Sequence, residues 1–165
     1  MSPFCPFCAP SIEDAVFGET AHFRAICNIA PILPGHVMII PKRHYQSLFE
    51  VPQPHLYEMI LFASRVTAFL KVQYCASGFD WSLQEGVDAG QSVMHLHWHI
   101  IPRKKNDLPS SGAWYQKLKE QQMEEIDSQK RPRITPEELK QQSTLLKTAF
   151  QQFSQKSDLT PSSID

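Results

Sequence analysis

Apolar and polar residues alternate in distinct rhythms along the chain, and each rhythm predicts an element. Ala15-Val16-Phe17 and His22 to Asn28 read as two short strands, with Gly18-Glu19-Thr20 as the turn between them. Pro31, Pro34 and Gly35 break the chain, and His36 to Pro41 then reads as a buried strand of β-branched and apolar residues. From Pro52 and Pro54 the period changes to that of a helix: Leu56, Met59, Ile60, Ala63, Val66 and Leu70 form one stripe that should end near Tyr74, with Gly78 beyond it. Phe79, Trp81 and Leu83 alternate with Asp80, Ser82 and Gln84, the period of a half-buried strand. After a Gly-containing loop, Val93 to Pro102 reads as the last strand, paired antiparallel with the one before it.

Five strands and one long helix, joined mostly by hairpins, predict an α+β fold with an antiparallel sheet. Beyond Arg103 the pattern weakens. Leu108 to Gly112 is loop-like and Trp114 to Ile126 is faintly helical. Thr135-Pro136-Glu137-Glu138 is a helix start, with Thr as N-cap, Pro at the first position and Glu138 closing a capping box. Leu139, Leu146, Ala149, Phe150 and Phe153 give the helix that follows an apolar face. The expected organisation is a domain over residues 1–110, a C-terminal helical extension of the same domain over 111–155, and a disordered tail over 156–165.

Composition narrows the class. With 165 residues and 42% hydrophobic positions, the chain can bury a core. A formal charge of −1 gives no global field for a polyanion, so no nucleic acid is expected. No apolar run approaches a membrane span, no leader is recognisable, and a soluble cytoplasmic protein is expected. Four cysteines are too few for a disulfide scaffold. Cys27 and Cys75 read as packing residues, whereas Cys5 and Cys8 form a C-x-x-C pair, either metal ligands or a redox dithiol.

The informative segment is Gly90 to Arg103. His95, His97 and His99 fall at i, i+2 and i+4, so a strand would project all three imidazoles from one face and Leu96, Trp98 and Ile100 from the other. A single such histidine reads as a surface or core residue; three on one face do not. Two chemistries fit: metal ligation, since His-x-His on a strand is a common ligand pair, or attack of a neutral imidazole on phosphorus to give a covalent phosphoramidate.

The run from His95 to Ile101 resembles the signature of the histidine-triad (HIT) superfamily. So does its context: Asn28, Pro34-Gly35-His36, Gln84-Glu85-Gly86, Ala89-Gly90-Gln91-Ser92 and Ile101-Pro102-Arg103-Lys104. Order and spacing resemble the fragile-histidine-triad branch more than the Hint branch. The resemblance implies the HIT fold and a dinucleoside polyphosphate hydrolase that transfers a nucleotidyl group to His97 and releases a nucleoside monophosphate. It also implies that His99 contacts phosphate and helps the leaving group, and that His36 stands behind the triad. Gln84, Gln91 and Ser92 would bind phosphate oxygens, and Asn28 the ribose. A homodimer with a nucleotide substrate and no organic cofactor is expected. A Hint-type nucleoside phosphoramidase, a metal-dependent phosphohydrolase using the triad as ligands, and a non-catalytic nucleotide-binding protein are the alternatives.

Bacterial members of the superfamily resemble this chain in pairing the C-x-x-C with a histidine after Ile40-Pro41-Lys42. The resemblance implies a structural zinc on Cys5, Cys8, His44 and His95. Redox motifs of this spacing follow a buried strand, a context missing here. His22 and His55 belong to no constellation in the sequence, with His55 facing solvent. Arg103-Lys104-Lys105 suits substrate phosphates or a solvated loop, and Lys130 to Arg133 reads as a short basic linker.

Overall fold

The computed structural model describes residues 5–114 and 133–158. Strands β1 (Val16–Glu19), β2 (Phe23–Cys27), β3 (Val37–Pro41), β4 (Gly78–Leu83) and β5 (Trp98–Arg103) form one antiparallel sheet in the order β1-β2-β3-β5-β4. The first three are consecutive neighbours, and β5 then inserts between β3 and β4, so the strand that carries His99 has a neighbour on each side.

The last strand is shorter than its alternation suggests. Residues 93–97 lie outside it because the amides of His95 and Leu96 are committed elsewhere. His95 N–H turns back to Val93 O at 2.8 Å, a tight three-residue turn, and Leu96 N–H donates to Tyr45 O at 2.7 Å. The β1–β2 turn is also displaced. Gly18 lies within β1, where a Cβ would stand 2.8 Å from the Phe150 ring, so its small size serves packing rather than a turn.

Helix α1 (Gln53–Gln73) buries Met59, Phe62, Ala63, Val66 and Leu70 against one face of the sheet; Ile60 is exposed, and Phe62 completes the inward stripe instead. The helix closes with a paired cap: Cys75 N–H donates to Val72 O and Ala76 N–H to Lys71 O, with Cys75 at φ 47°. Cys75 is therefore an exposed cap residue and not a packing residue, whereas Cys27 is buried as expected.

Helix α2 (Pro136–Asp158) starts at the expected capping box. Thr135 N–H donates to Glu138 Oε2 at 2.8 Å, and Glu138 N–H to Thr135 Oγ1 at 3.2 Å. It runs past residue 155, and residues 159–165 lie outside the described set, as do 115–132 with most of the faint helix expected there. Leu139, Leu146 and Phe150 of α2 join the main core, where Phe150 stands edge-on to Phe17 at 5.9 Å and to Phe69 at 5.2 Å. Both helices thus cover one sheet face. The opposite face carries the histidines. No helix among the described residues is long and apolar enough to cross a membrane.

Candidate active site and metal centre

Strand register decides which side chains share the histidine face. Met38 of β3 and Ser82 of β4 are the partners of His99 in β5, and Ile26 of β2 is the partner of Met38. Asn28 and His36 follow β2 and precede β3 on this same face, and Gln84 follows β4 two positions after Ser82. Asn28, His36, Gln84, His95, His97 and His99 are all buried.

His97 is held through one nitrogen. Its Nδ1–H donates to the carbonyl of His95 at 2.7 Å, which leaves the lone pair on Nε2. Burial lowers its pKa against the raising effect of that carbonyl, so the ring is neutral at pH 7. A neutral imidazole with a free Nε2 lone pair is a nucleophile.

His36 sets the second tautomer. The Ile32 N–H donates to His36 Nδ1 at 3.1 Å, so the proton of a neutral His36 sits on Nε2. That N–H donates to His99 Nδ1 at 2.9 Å, which in turn leaves the His99 proton on Nε2. Asn28 Nδ2 stands 3.3 Å from His36 Nε2, but both carry protons, so this is a contact and not a second hydrogen bond. The Asn28 carbonyl oxygen accepts from Ala30 N–H at 2.9 Å. Two neighbouring imidazoles are thus set in opposite senses: His97 presents a lone pair and His99 a proton.

The loop after β4 is closed on itself. Gly86, at φ 84°, donates its N–H to Gln91 Oε1 at 2.8 Å and accepts from Gln91 N–H at 3.0 Å; the Gln91 amide nitrogen donates to Gln46 O at 3.0 Å. Glu85 accepts from Ser47 Oγ at 2.7 Å and Leu48 N–H at 2.8 Å. The side chain of Gln91 therefore holds the loop. Ser92 is exposed and lines a cavity of about 270 Å³ with Gln46, Met94 and the cysteine turn.

Cys5, Cys8, His44 and His95 offer ligand atoms that all lie within 4.8 Å of one another. Sulfur and nitrogen ligands on a tetrahedral zinc stand roughly 3.5 Å apart, from bond lengths of about 2.3 and 2.0 Å. Here Cys5 Sγ is 3.4 Å from His95 Nδ1, Cys8 Sγ 3.5 Å from the same atom, and Cys8 Sγ 3.3 Å from His44 Nδ1. His95 donates its Nε2–H to Pro41 O at 2.9 Å, which turns the Nδ1 lone pair toward the sulfurs and fixes the ring as an outer-shell partner does for a metal ligand. Burial and the neighbouring Cys5 thiol both raise the Cys8 pKa, so a nearby cation would be needed to hold Cys8 as the thiolate. The residues fit zinc.

Phe7, between the two cysteines, went unnoticed in the sequence. Its ring stands edge-on to His95 at 5.6 Å and lies 5.4 Å from His97. Only its place inside the C-x-x-C signals this. His22 and His55 do form a constellation: their rings stack at 3.6 Å, and His22 Nδ1 lies 2.6 Å from Glu58 Oε2. Arg103 is held by Asp80 and Asp107, so it fastens β5 to its following loop.

Residues 9–106 match the HIT domain family. The chain is 31% identical over 140 residues to the bis(5'-adenosyl)-triphosphatase of Dictyostelium discoideum, an alignment covering 85% of this chain and 88% of that protein. It is 37% identical over 107 residues to the asymmetrical bis(5'-nucleosyl)-tetraphosphatase of Schizosaccharomyces pombe, covering 65% of this chain and 59% of that protein. Among solved structures, a Zn-bound histidine triad family protein from Mycobacterium smegmatis superposes with a TM-score of 0.66 at 25% identity, covering 93% of this chain and 97% of that one. The Plasmodium falciparum diadenosine triphosphate hydrolase, in complex with Cyclomarin A, shares the fold at a TM-score of 0.67 and 21% identity, over 85% of this chain and 78% of that one. The chain belongs to the HIT domain family.

Proposed function

We propose that this protein is a dinucleoside polyphosphate hydrolase acting through a covalent nucleotidyl-His97 intermediate. The observation that carries the reading is the opposed pair of tautomers, a lone pair on His97 Nε2 beside a proton on His99 Nε2. Its relatives named as adenosyl-triphosphatase and nucleosyl-tetraphosphatase support the substrate class. In the first half-reaction the Nε2–P bond forms at the α-phosphorus and the P–O bond to the leaving nucleotide breaks. Water then attacks the same phosphorus, releases a nucleoside monophosphate and restores the ring. Charge gathers on the phosphoryl oxygens in both halves, where the His99 Nε2–H and Ser92 hydroxyl can donate. Asn28 and Gln84 lie on the same sheet face as the triad, suiting ribose and phosphate oxygens, while Gln91 acts by keeping the loop closed.

The donor chemistry disfavours the triad as a metal site. His99 Nδ1 accepts from His36 and its Nε2 carries the proton, so that ring offers no lone pair, and His95 turns its Nδ1 toward the cysteines, which leaves His97 Nε2 as the single lone pair of the triad outside the cysteine cluster. A zinc on Cys5, Cys8, His44 and His95 would tie the N-terminal turn to the sheet and supply structural cross-linking rather than chemistry at phosphorus.

A homodimer suits the remaining surface. Among the described residues, strand β4 ends the sheet with no strand beyond it. Beside it α1 exposes Tyr57, Leu61 and Val72 on one stripe. Sedimentation at micromolar concentration would give twice the chain mass if a second copy covers this edge. We place the protein in the cytoplasm, where its cysteines stay reduced.

The test is turnover. Diadenosine tri- and tetraphosphate should be cleaved to AMP faster than adenosine phosphoramidate, and His97→Ala should lose several orders of magnitude. Faster phosphoramidate turnover would transfer the assignment to the Hint type.

A further inference from the structure

His97 is the residue on which turnover rests in the proposed function, yet one hydrogen bond does not fix an imidazole in space. The bond from Nδ1 to the His95 carbonyl restrains one corner of the ring. The torsion between Cβ and the ring is soft, with broad minima instead of three sharp wells. The direction of the Nε2 lone pair therefore depends on what the ring faces touch. Two aromatic neighbours do so at close range: His99, 5.0 Å away at 82°, and Phe7, 5.4 Å away at 61°.

Phe7 is placed for this by its own turn. Cys8 N–H donates to Cys5 O at 3.1 Å, so Pro6 and Phe7 form the tip of a hydrogen-bonded turn. The same ring stands 88° to His95, the residue whose carbonyl holds His97. Phe7 thus braces both ends of the Nδ1–H···O bond, while its own packing reaches the core. Edge-to-face pairs at these separations are favourable beyond burial alone, enough to select one ring orientation from several.

We propose that Phe7 is a positioning residue for His97: it fixes the plane of the imidazole and so aims Nε2 at the substrate phosphorus. This rests on the reading of His97 as nucleophile. Misplacement of a reacting atom by about 1 Å can cost on the order of 100-fold in rate. An aliphatic side chain of similar bulk fills the space without a flat edge, so it should leave the turn intact and free the ring.

The experiment uses the full-length protein as purified with its metal, diadenosine triphosphate as substrate, and Phe7→Leu, Phe7→Ala and Phe7→Tyr variants. Phe7→Leu and Phe7→Ala should lower kcat on the order of 10- to 100-fold with KM within about threefold of wild type, and Phe7→Tyr should restore most of it. Zinc content and melting temperature of Phe7→Leu should stay near wild type. In protein carrying 15N-histidine, the His97 Nδ1–H resonance should be sharp in wild type and in Phe7→Tyr, and broadened by solvent exchange in Phe7→Leu. A rise in KM at constant kcat would make Phe7 a substrate contact and overturn the proposal. So would equal activity of the leucine and tyrosine variants, or an unchanged Nδ1–H signal in Phe7→Leu. His97→Ala separates the two readings: if it keeps activity, the nucleophile assignment fails, while the resonance still reports whether Phe7 orders the ring.

Discussion

Replacing His36 with alanine tests the tautomer relay through both stability and rate. His36 is 1% exposed and joins two partners, the Ile32 amide at 3.1 Å and His99 Nδ1 at 2.9 Å. Removing most of an imidazole opens about 60 Å³, which at ~24 cal/mol per Å³ costs about 1.5 kcal/mol. The Ile32 N–H is left without its acceptor, adding about 1–3 kcal/mol. His36→Ala should therefore lose about 2.5–4.5 kcal/mol in a urea melt with an unchanged m-value. The effect on rate comes from His99, whose proton is no longer confined to Nε2. Deleting a donor aimed at a transition-state oxyanion costs about 100- to 1,000-fold, so losing control of that donor should cost part of this, roughly 10- to 100-fold in kcat. His36→Gln keeps an N–H for His99 and should recover most of the rate but not all of the stability. If His36 works through His99, the two substitutions do not add: in a His99→Gln background, His36→Ala should change kcat by less than about threefold. Fully additive rate losses, or a His36→Ala enzyme within twofold of wild type, would refute the relay.

Further outcomes follow from the same contacts. Cys5→Ser should abolish stoichiometric zinc in elemental analysis and lower stability by at least about 3 kcal/mol, since such sites contribute about 10–16 kcal/mol of apparent binding; unchanged melting with no zinc in the wild type would remove the metal centre. Gly18→Ala puts a Cβ 2.8 Å from Phe150, which is hemmed in by Phe17, Phe62 and Phe69, and should cost about 1–3 kcal/mol while leaving kcat unchanged. In chelator, acid should destabilise the protein through His95. Burial pulls its pKa down to about 4 from 6.5, against the opposing bond to Pro41 O, with His44 and His97 adding repulsion. Between those values the unfolded chain binds a proton that the folded chain refuses, so stability rises with pH across the window and falls by about 3 kcal/mol from pH 6.5 to 4. A melting temperature independent of pH over that range would contradict this.

The sequence carried much of this site because its information is local. The two-residue spacing of His95, His97 and His99, the Cys5–Cys8 pair and the Thr135–Glu138 capping box each declare their chemistry within a few positions. What stayed hidden depends on contacts far apart in the chain. The run from Val93 to Pro102 alternates like a strand throughout, but Tyr45 takes the Leu96 amide and Val93 the His95 amide, so the ladder begins only at Trp98. Gly18 reads as a turn residue until Phe150, on the last helix, explains its missing side chain. The stacking of His22 on His55 and the ring of Phe7 against His97 likewise join segments the chain keeps apart. Gln91 matches a phosphate-binding position, yet its amide is spent closing a loop through Gly86 and Gln46, a use that no spacing announces.

The central claim is a bond between one ring nitrogen and phosphorus. Rapid quenching into base during turnover of diadenosine triphosphate, followed by peptide mass spectrometry, should find adenylate attached to His97 through an acid-labile, base-stable linkage, and none in His97→Ala. An adenylate on another residue, or full turnover with no adduct under conditions where synthetic phosphohistidine survives, would contradict the account.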